Sequence, residues 1–255
     1  MNQASTLSSK TPPNIKDFDL LEIPIEGVAA YWLSLRKVLK SKKAVKVLQD
    51  EADYTSEPYI KHLLNLLLSS LDEAQLRKFA EVKKETIVKD LQRKLIMISI
   101  GLLGIAANEN PQQVLVRIIS KFPISPVVEG HIFQAAQDLL DMPTSSGAVV
   151  DIDHRMSLEQ LIRHLIFYCM LSRRKGWEAC TPYVPNVRSA YFTEGLSLIL
   201  DGFAQDFIKH RLILQKDEIL YETRRKMDMA LELCLGLKHN MDYEDMFKMA
   251  NSYLL

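Results

Sequence analysis

The residues whose types could do chemistry cluster at Asp151, Asp153 and His154, in the run DIDHR that ends at Arg155. Two carboxylates and an imidazole this close could set two oxygens and one nitrogen around a cation on a tight turn. The glycine of a calcium loop and its closing bidentate glutamate are both missing. The run therefore reads first as an acidic linker ahead of a helix, favoured by the positive end of the helix dipole. No metal or other cofactor is expected. His164 lies further on in that helix, and Asp151, Asp153, His154 and His164 form the candidate polar site.

His164 and Tyr168 are four apart and share a helix face. Cys169 lies in the same helix, and a Cys–His pair can make a nucleophile. Here the thiol sits among Ile166, Phe167, Tyr168, Met170 and Leu171, where cysteine behaves as a small buried hydrophobe. His62, His131, His210 and His239 stand singly on different helices. The chain has no HExxH, P-loop, GxGxxG or GxSxG, and no paired acidic motif of a diphosphate-binding helical enzyme. No catalytic residue is assigned, and the balance leans away from an enzyme.

The run DHRMSLEQ resembles the acidic loop and capped helix of TerB-like helical domains over about ten residues. His154 stands where that pattern has glycine, and Gln160 where it has an acid. The resemblance brings no function across.

Basic residues crowd the end of the first helix and the segment beyond it: Arg36, Lys37, Lys40, Lys42, Lys43 and Lys46. Cations are at home near a helix C-terminus, so a solvated face is the first reading and an anion-binding or docking patch the second. No aromatic residues interleave them as on a single-strand binding surface. Lys plus Arg and Asp plus Glu both number 32, so net charge gives no argument for nucleic acid. Two further short clusters are Arg173–Lys175, with Trp177 just beyond, and Arg224–Lys226.

These groups must be carried by helices. Glycine and proline are sparse, and the apolar residues recur at three- and four-residue spacing. The strongest element is Leu95–Ala107, LIMISIGLLGIAA, uncharged and too short for the roughly 20 residues of a membrane span. It reads as the end of a buried helix over about 84–108, with Gly101 and Gly104 on one side where a neighbouring backbone could approach closely. The expected fold is all-α, a bundle of about eight to ten helices around this central rod.

Residues 1–16 read as a flexible Ser/Thr/Pro-rich tail, 17–142 as one helical subdomain and 148–255 as a second. The PTSSG loop between them is the best boundary, and the two are expected to share one core. Ala148–Asp153 is the one plausible strand. Helix starts are expected at Glu26, Pro58, Asp72, Pro111, Pro126, Ser157 and Asp242, with Gly176 a stop. Cys180–Asn186 reads as a loop, Ala190 to about Leu214 as one helix and Asp217–Leu235 as the next.

Three widely spaced cysteines and a polar N-terminus favour a reducing, cytoplasmic setting, with export open only by a route that needs no cleaved signal. The first functional expectation is a non-enzymatic interaction module, an adaptor, regulator or effector, binding a protein segment between helices. Methionines gathered at 227, 229, 241, 246 and 249 add to it, although core filling is their default role. The second is a small-molecule binder or enzyme with a cavity near Asp151–Arg155. The third is weak nucleic-acid binding through the lysine cluster. A protein partner and self-association are both compatible with these features.

Overall fold

The computed structural model describes residues 18–39, 44–142 and 150–254. The expected tail, the PTSSG loop, and Lys40, Lys42 and Lys43 lie outside the described residues. Everything regular among the described residues is helical, as the spacing of apolar residues requires. In chain order the α-helices are α1 (Ile25–Val38), α2 (Ala44–Tyr54), α3 (Pro58–Leu67), α4 (Glu73–Ala106) and α5 (Pro111–Ile119). Then come α6 (Glu129–Asp141), α7 (Leu158–Lys175), a 3-10 helix (Trp177–Asn186), α8 (Ala190–Leu200), α9 (Gln205–Lys238) and α10 (Tyr243–Asn251). No helix is long and apolar enough to cross a membrane among the described residues.

The ends obey local chemistry. Asn110 accepts the Gln112 amide ahead of Pro111, and Asp242 accepts the Asp245 amide. Ser157 and Gln160 form a reciprocal capping box at the start of α7. At α3 the cap is the Glu57 carboxylate, which accepts the Tyr59 amide.

Four expectations change. Val150–Asp153, the described part of the expected strand, forms no strand and runs as irregular chain. The stretch expected as a loop at 180–186 belongs to the 3-10 helix, where Pro182 and Pro185 break the α pattern without preventing tight turns. Ser125–Pro126 does not open α6, which begins at Glu129 after Val128. The helix break lies at 201–204 instead of 215–216. Gly202 has φ +75, a left-handed conformation that glycine enters without a Cβ clash, whereas Gln215–Lys216 offer nothing that stops a helix.

The described chain divides into two compact units: residues up to Ile87 with those from Glu222 onward, and Val88–Tyr221. Both boundaries fall inside helices, α4 and α9. In the first unit Trp32, Tyr59, Ile60, Leu63, Leu64, Leu76 and Leu231 are buried. Met227, Met229 and Met246 are buried too, filling core. Arg77 pairs with Glu232, Lys84 with Asp228 and Arg224 with Glu85, which sets the start of α4 antiparallel to the end of α9. The buried Lys226 donates to the carbonyls of Leu20 and Leu21 at 3.0 and 3.3 Å, anchoring the chain before α1.

In the second unit the apolar run of α4 is enclosed. Leu95, Met97, Ile98, Leu102 and Ile105 are each at most 1 % exposed. Leu165 of α7 packs over Gly101 and Val114 of α5 over Gly104. The close neighbours at these glycines are side chains, not the backbone expected from the sequence. Leu102 lies over Gly195 of α8, Tyr191 meets Ser99 at 2.5 Å, and Trp177 donates to the Ile105 carbonyl at 3.1 Å.

Candidate functional site

Asp151, Asp153, His154 and His164 are brought together in the second unit, between the irregular segment before α7 and the start of α8. Asp151 and Asp153 are buried, and the group that gathers them is Arg188. Its backbone amide donates to Asp151 Oδ1 at 2.8 Å and its Nε to Oδ2 at 2.7 Å. Its Nη1 lies 3.1 Å from Asp153 Oδ2. Asp153 Oδ1 accepts the Arg155 amide at 2.9 Å, with His154 Nδ1 3.2 Å away. Lys94 of α4 donates to the His154 carbonyl at 2.8 Å.

His164 Nδ1 lies 2.5 Å from the Asp151 carbonyl. A carbonyl only accepts, so the ring carries its proton on Nδ1. Burial holds the His164 pKa below the usual histidine value. Tyr168 donates to the Val150 carbonyl at 2.7 Å. All four carboxylate oxygens of the two aspartates are engaged within the chain, and the ensemble acts as a clamp joining the segment before α7 to the N-terminus of α8. Among the described residues no group of three or more His, Cys, Asp or Glu is placed to hold a metal. Nothing in the local sequence marked Arg188 as the partner, because it sits 37 residues from Asp151.

The cysteines are buried thiols. Cys169 points at the Gly101 carbonyl at 3.7 Å and Cys234 at that of Leu63 at 3.6 Å. Burial pushes the Cys180 and Cys234 thiols up to about 12 and that of Cys169 further still, so none is a nucleophile near neutral pH.

Of the basic patch, Arg36 donates through Nε to the Met241 carbonyl at 2.5 Å and through Nη2 to that of Asn240 at 3.1 Å. Lys37 lies over the Tyr243 ring at 4.6 Å, and Lys46 is exposed on α2. The two residues at the end of α1 are thus turned toward the approach to α10.

Among the described residues are two clefts that the Asp151 cluster does not line. In the first unit, α1 and α10 frame a cavity of about 330 Å³. Ala29, Ala30, Leu33 and Ser34 form one side; Tyr243, Phe247, Ala250 and Leu254 form the other. Glu26 and Lys37 mark the α1 side, and Phe247 stays 42 % exposed. In the second unit, Asn110, Pro111 and Gln112 at the start of α5 border a cleft of about 410 Å³ with Phe133, Met170, Arg173 and Arg174. Arg173 donates to the Asn108 carbonyl at 3.1 Å and Arg174 to Gln137 Oε1 at 2.5 Å. Comparisons with protein-family models, curated proteins and solved structures return no match to this chain.

Proposed function

We propose that this protein is a non-enzymatic interaction module that seats a short amphipathic helix of a partner protein in the cleft between α1 and α10. The observation that carries the reading is the make-up of that cleft. Its α1 wall has Ala29, Ala30 and Ser34, small enough for a third helix to come close, beside Leu33, and the facing wall offers Tyr243 and Phe247 of α10 and Leu254 beyond it as apolar contacts. An apolar helix face laid into a groove is a recurring mode of peptide recognition. Glu26 and Lys37 stand about 16 Å apart along α1. A partner helix with a basic residue toward Glu26 and an acidic one toward Lys37 would dock in one direction only.

Other features agree with this reading. The polar cluster around Asp151 is occupied by Arg188 and backbone groups, and the thiols are buried and protonated. Buried free cysteines suit a reducing compartment such as the cytoplasm.

The test is selection of displayed helical peptides against the full chain. Enriched sequences should share apolar residues at three- and four-residue spacing, with opposite charges at the two ends. Their binding should drop about tenfold or more in Ala30→Arg, an exposed position where a long cation blocks the cleft. No enrichment, or equal binding to that variant, would refute the reading.

A further inference from the structure

Over Phe207–Tyr221 of α9 most apolar residues fall into two sets, apart from Ile219, of intermediate exposure, and Ile213, 44 % exposed and about 100° around the helix from Leu214. Ile208, Leu212 and Leu220 are buried. Phe207, Leu214 and Tyr221 are 49, 51 and 58 % exposed. They recur every seven residues, and so lie within about 40° of one line along the helix. Phe203, just before α9, is 47 % exposed and extends the line, its ring stacked on Phe207 with centroids 5.0 Å apart. From Phe207 to Tyr221 the stripe runs about 21 Å along the helix, and all of it belongs to the second unit. Exposed apolar residues aligned in this way mark an interaction surface.

The charges beside the stripe identify its occupant. Arg211 and Glu218 flank it on one side, His210 and Asp217 on the other, and all four are exposed. We propose that this stripe pairs with the same stripe of a second copy of the chain, antiparallel, about a twofold axis at Leu214.

A twofold axis at that point places Leu214 against Leu214 of the second copy and Phe207 against its Tyr221, the latter contact occurring twice. Each flank then meets the same flank of the other copy running the opposite way. Arg211 comes level with Glu218 of the second copy, and His210 with its Asp217. Each of these contacts also occurs twice. A parallel pairing would set each flank against the opposite flank, with Glu218 beside Asp217 of the second copy and Arg211 beside its His210, which opposes it. Self-complementarity of this kind is what an isologous interface requires. Arg211 already holds Glu194 at 2.8 Å through Nε, so its head is oriented before any pairing. One helix face of this length is small beside the roughly 800 Å² per partner of a standard interface, so the dimer is weak and concentration-dependent.

Sedimentation of the full chain from micromolar to millimolar concentration tests the pairing. Wild type should pass from monomer to dimer, with weaker association at high salt. Leu214→Glu, which sets two carboxylates across the axis, should weaken the dimer by at least about tenfold with helicity unchanged. Arg211→Glu and Glu218→Arg should each associate poorly alone, and form a heterodimer when mixed. A chain that stays monomeric throughout, a dimer indifferent to Leu214→Glu, or a mixture that fails to rescue association would overturn the proposal. Peptide binding at the α1–α10 cleft should persist in Leu214→Glu, so the two readings fail separately.

Discussion

Replacing Gly104 by alanine probes how tightly α4 is enclosed. A Cβ on Gly104 would stand 2.5 Å from Val114 Cγ2 and 3.4 Å from its Cγ1. Ordinary contact begins near 3.4 Å, so something must move by most of an ångström. Val114 is fully buried, and a β-branched side chain in a helix has essentially one χ1 rotamer to offer. Alanine gains about 1 kcal/mol over glycine in helix propensity. Overpacking a dense core costs about 1–3 kcal/mol, and the stiff neighbour puts this site at the upper end. The net expectation is a loss of about 2 kcal/mol. Gly101→Ala is the internal control. Its Cβ would meet Leu165 Cδ2 at 3.0 Å, the end of a side chain that can give by a few tenths of an ångström. Strain and propensity should then cancel to within about 1 kcal/mol. The clash is isolated by a cycle with Val114→Ala, which by itself should cost about 2 kcal/mol. In the double variant the new methyl enters the space that valine left, so the clash vanishes and the losses should fall short of their sum by about 3 kcal/mol. Urea unfolding read by Trp177 fluorescence in a Trp32→Phe background suits the measurement, because Trp177 bonds to the carbonyl of Ile105, adjacent to Gly104. Additive losses, or a stabilised Gly104→Ala with unchanged m-value, would refute the packing argument.

The clamp around Asp151 gives two further expectations. Asp151→Ala removes the acceptor of two Arg188 donors and should lower stability by about 2 kcal/mol, a figure kept modest because Arg188 is 64 % exposed and can be solvated. An unchanged urea midpoint would mean that the clamp holds nothing. His164 titrates below its usual 6.5 in the fold because burial disfavours the cation, so the unfolded chain binds the proton more readily. Stability should therefore be whole above about pH 6.5 and decline as the pH falls from there through the lower folded value. His62 is shifted the same way by burial and adds to the slope. His164→Gln should flatten the decline between about pH 7 and 5 without abolishing it, and an unaltered slope in denaturation midpoints would count against the assignment.

The helical class, the enclosed apolar rod and several helix ends were legible because they rest on local chemistry. The hydroxyl of Ser157 with Gln160, Asn110 ahead of Pro111, and Asp242 each satisfy amides within three residues. Gly176 as a stop belongs with them. The break at Gly202 is marked by the pair Asp201–Gly202, although apolar residues continue at helical spacing on either side. Polar Gln215–Lys216 interrupt the apolar pattern, yet polar side chains at a partly exposed turn do not stop a helix. The candidate polar site was legible as a set of residues and not as an arrangement. Asp151 and Asp153 carry the types a cation site would use, and only the placement of Arg188 turns their oxygens inward.

The two faces of α9 show where reading a sequence by period runs out. Phe207 and Ile208 are adjacent and both apolar, so a count of hydrophobic residues places both in the core. One helix can bury a stripe of limited width against its own domain. Apolar residues more than that width from the buried stripe need another partner or must face water. Ile208, Leu212 and Leu220 fill the inner stripe; Phe207, Leu214 and Tyr221 cannot share it, being displaced around the helix by about 100° for each adjacent residue. A second apolar line with a seven-residue interval, bordered by charges whose order reverses about its midpoint, carries information that a core has no use for. The near-symmetric placing of Arg211 and Glu218 about Leu214 lies in the sequence itself, but it has meaning only once the described residues of the fold leave that face exposed.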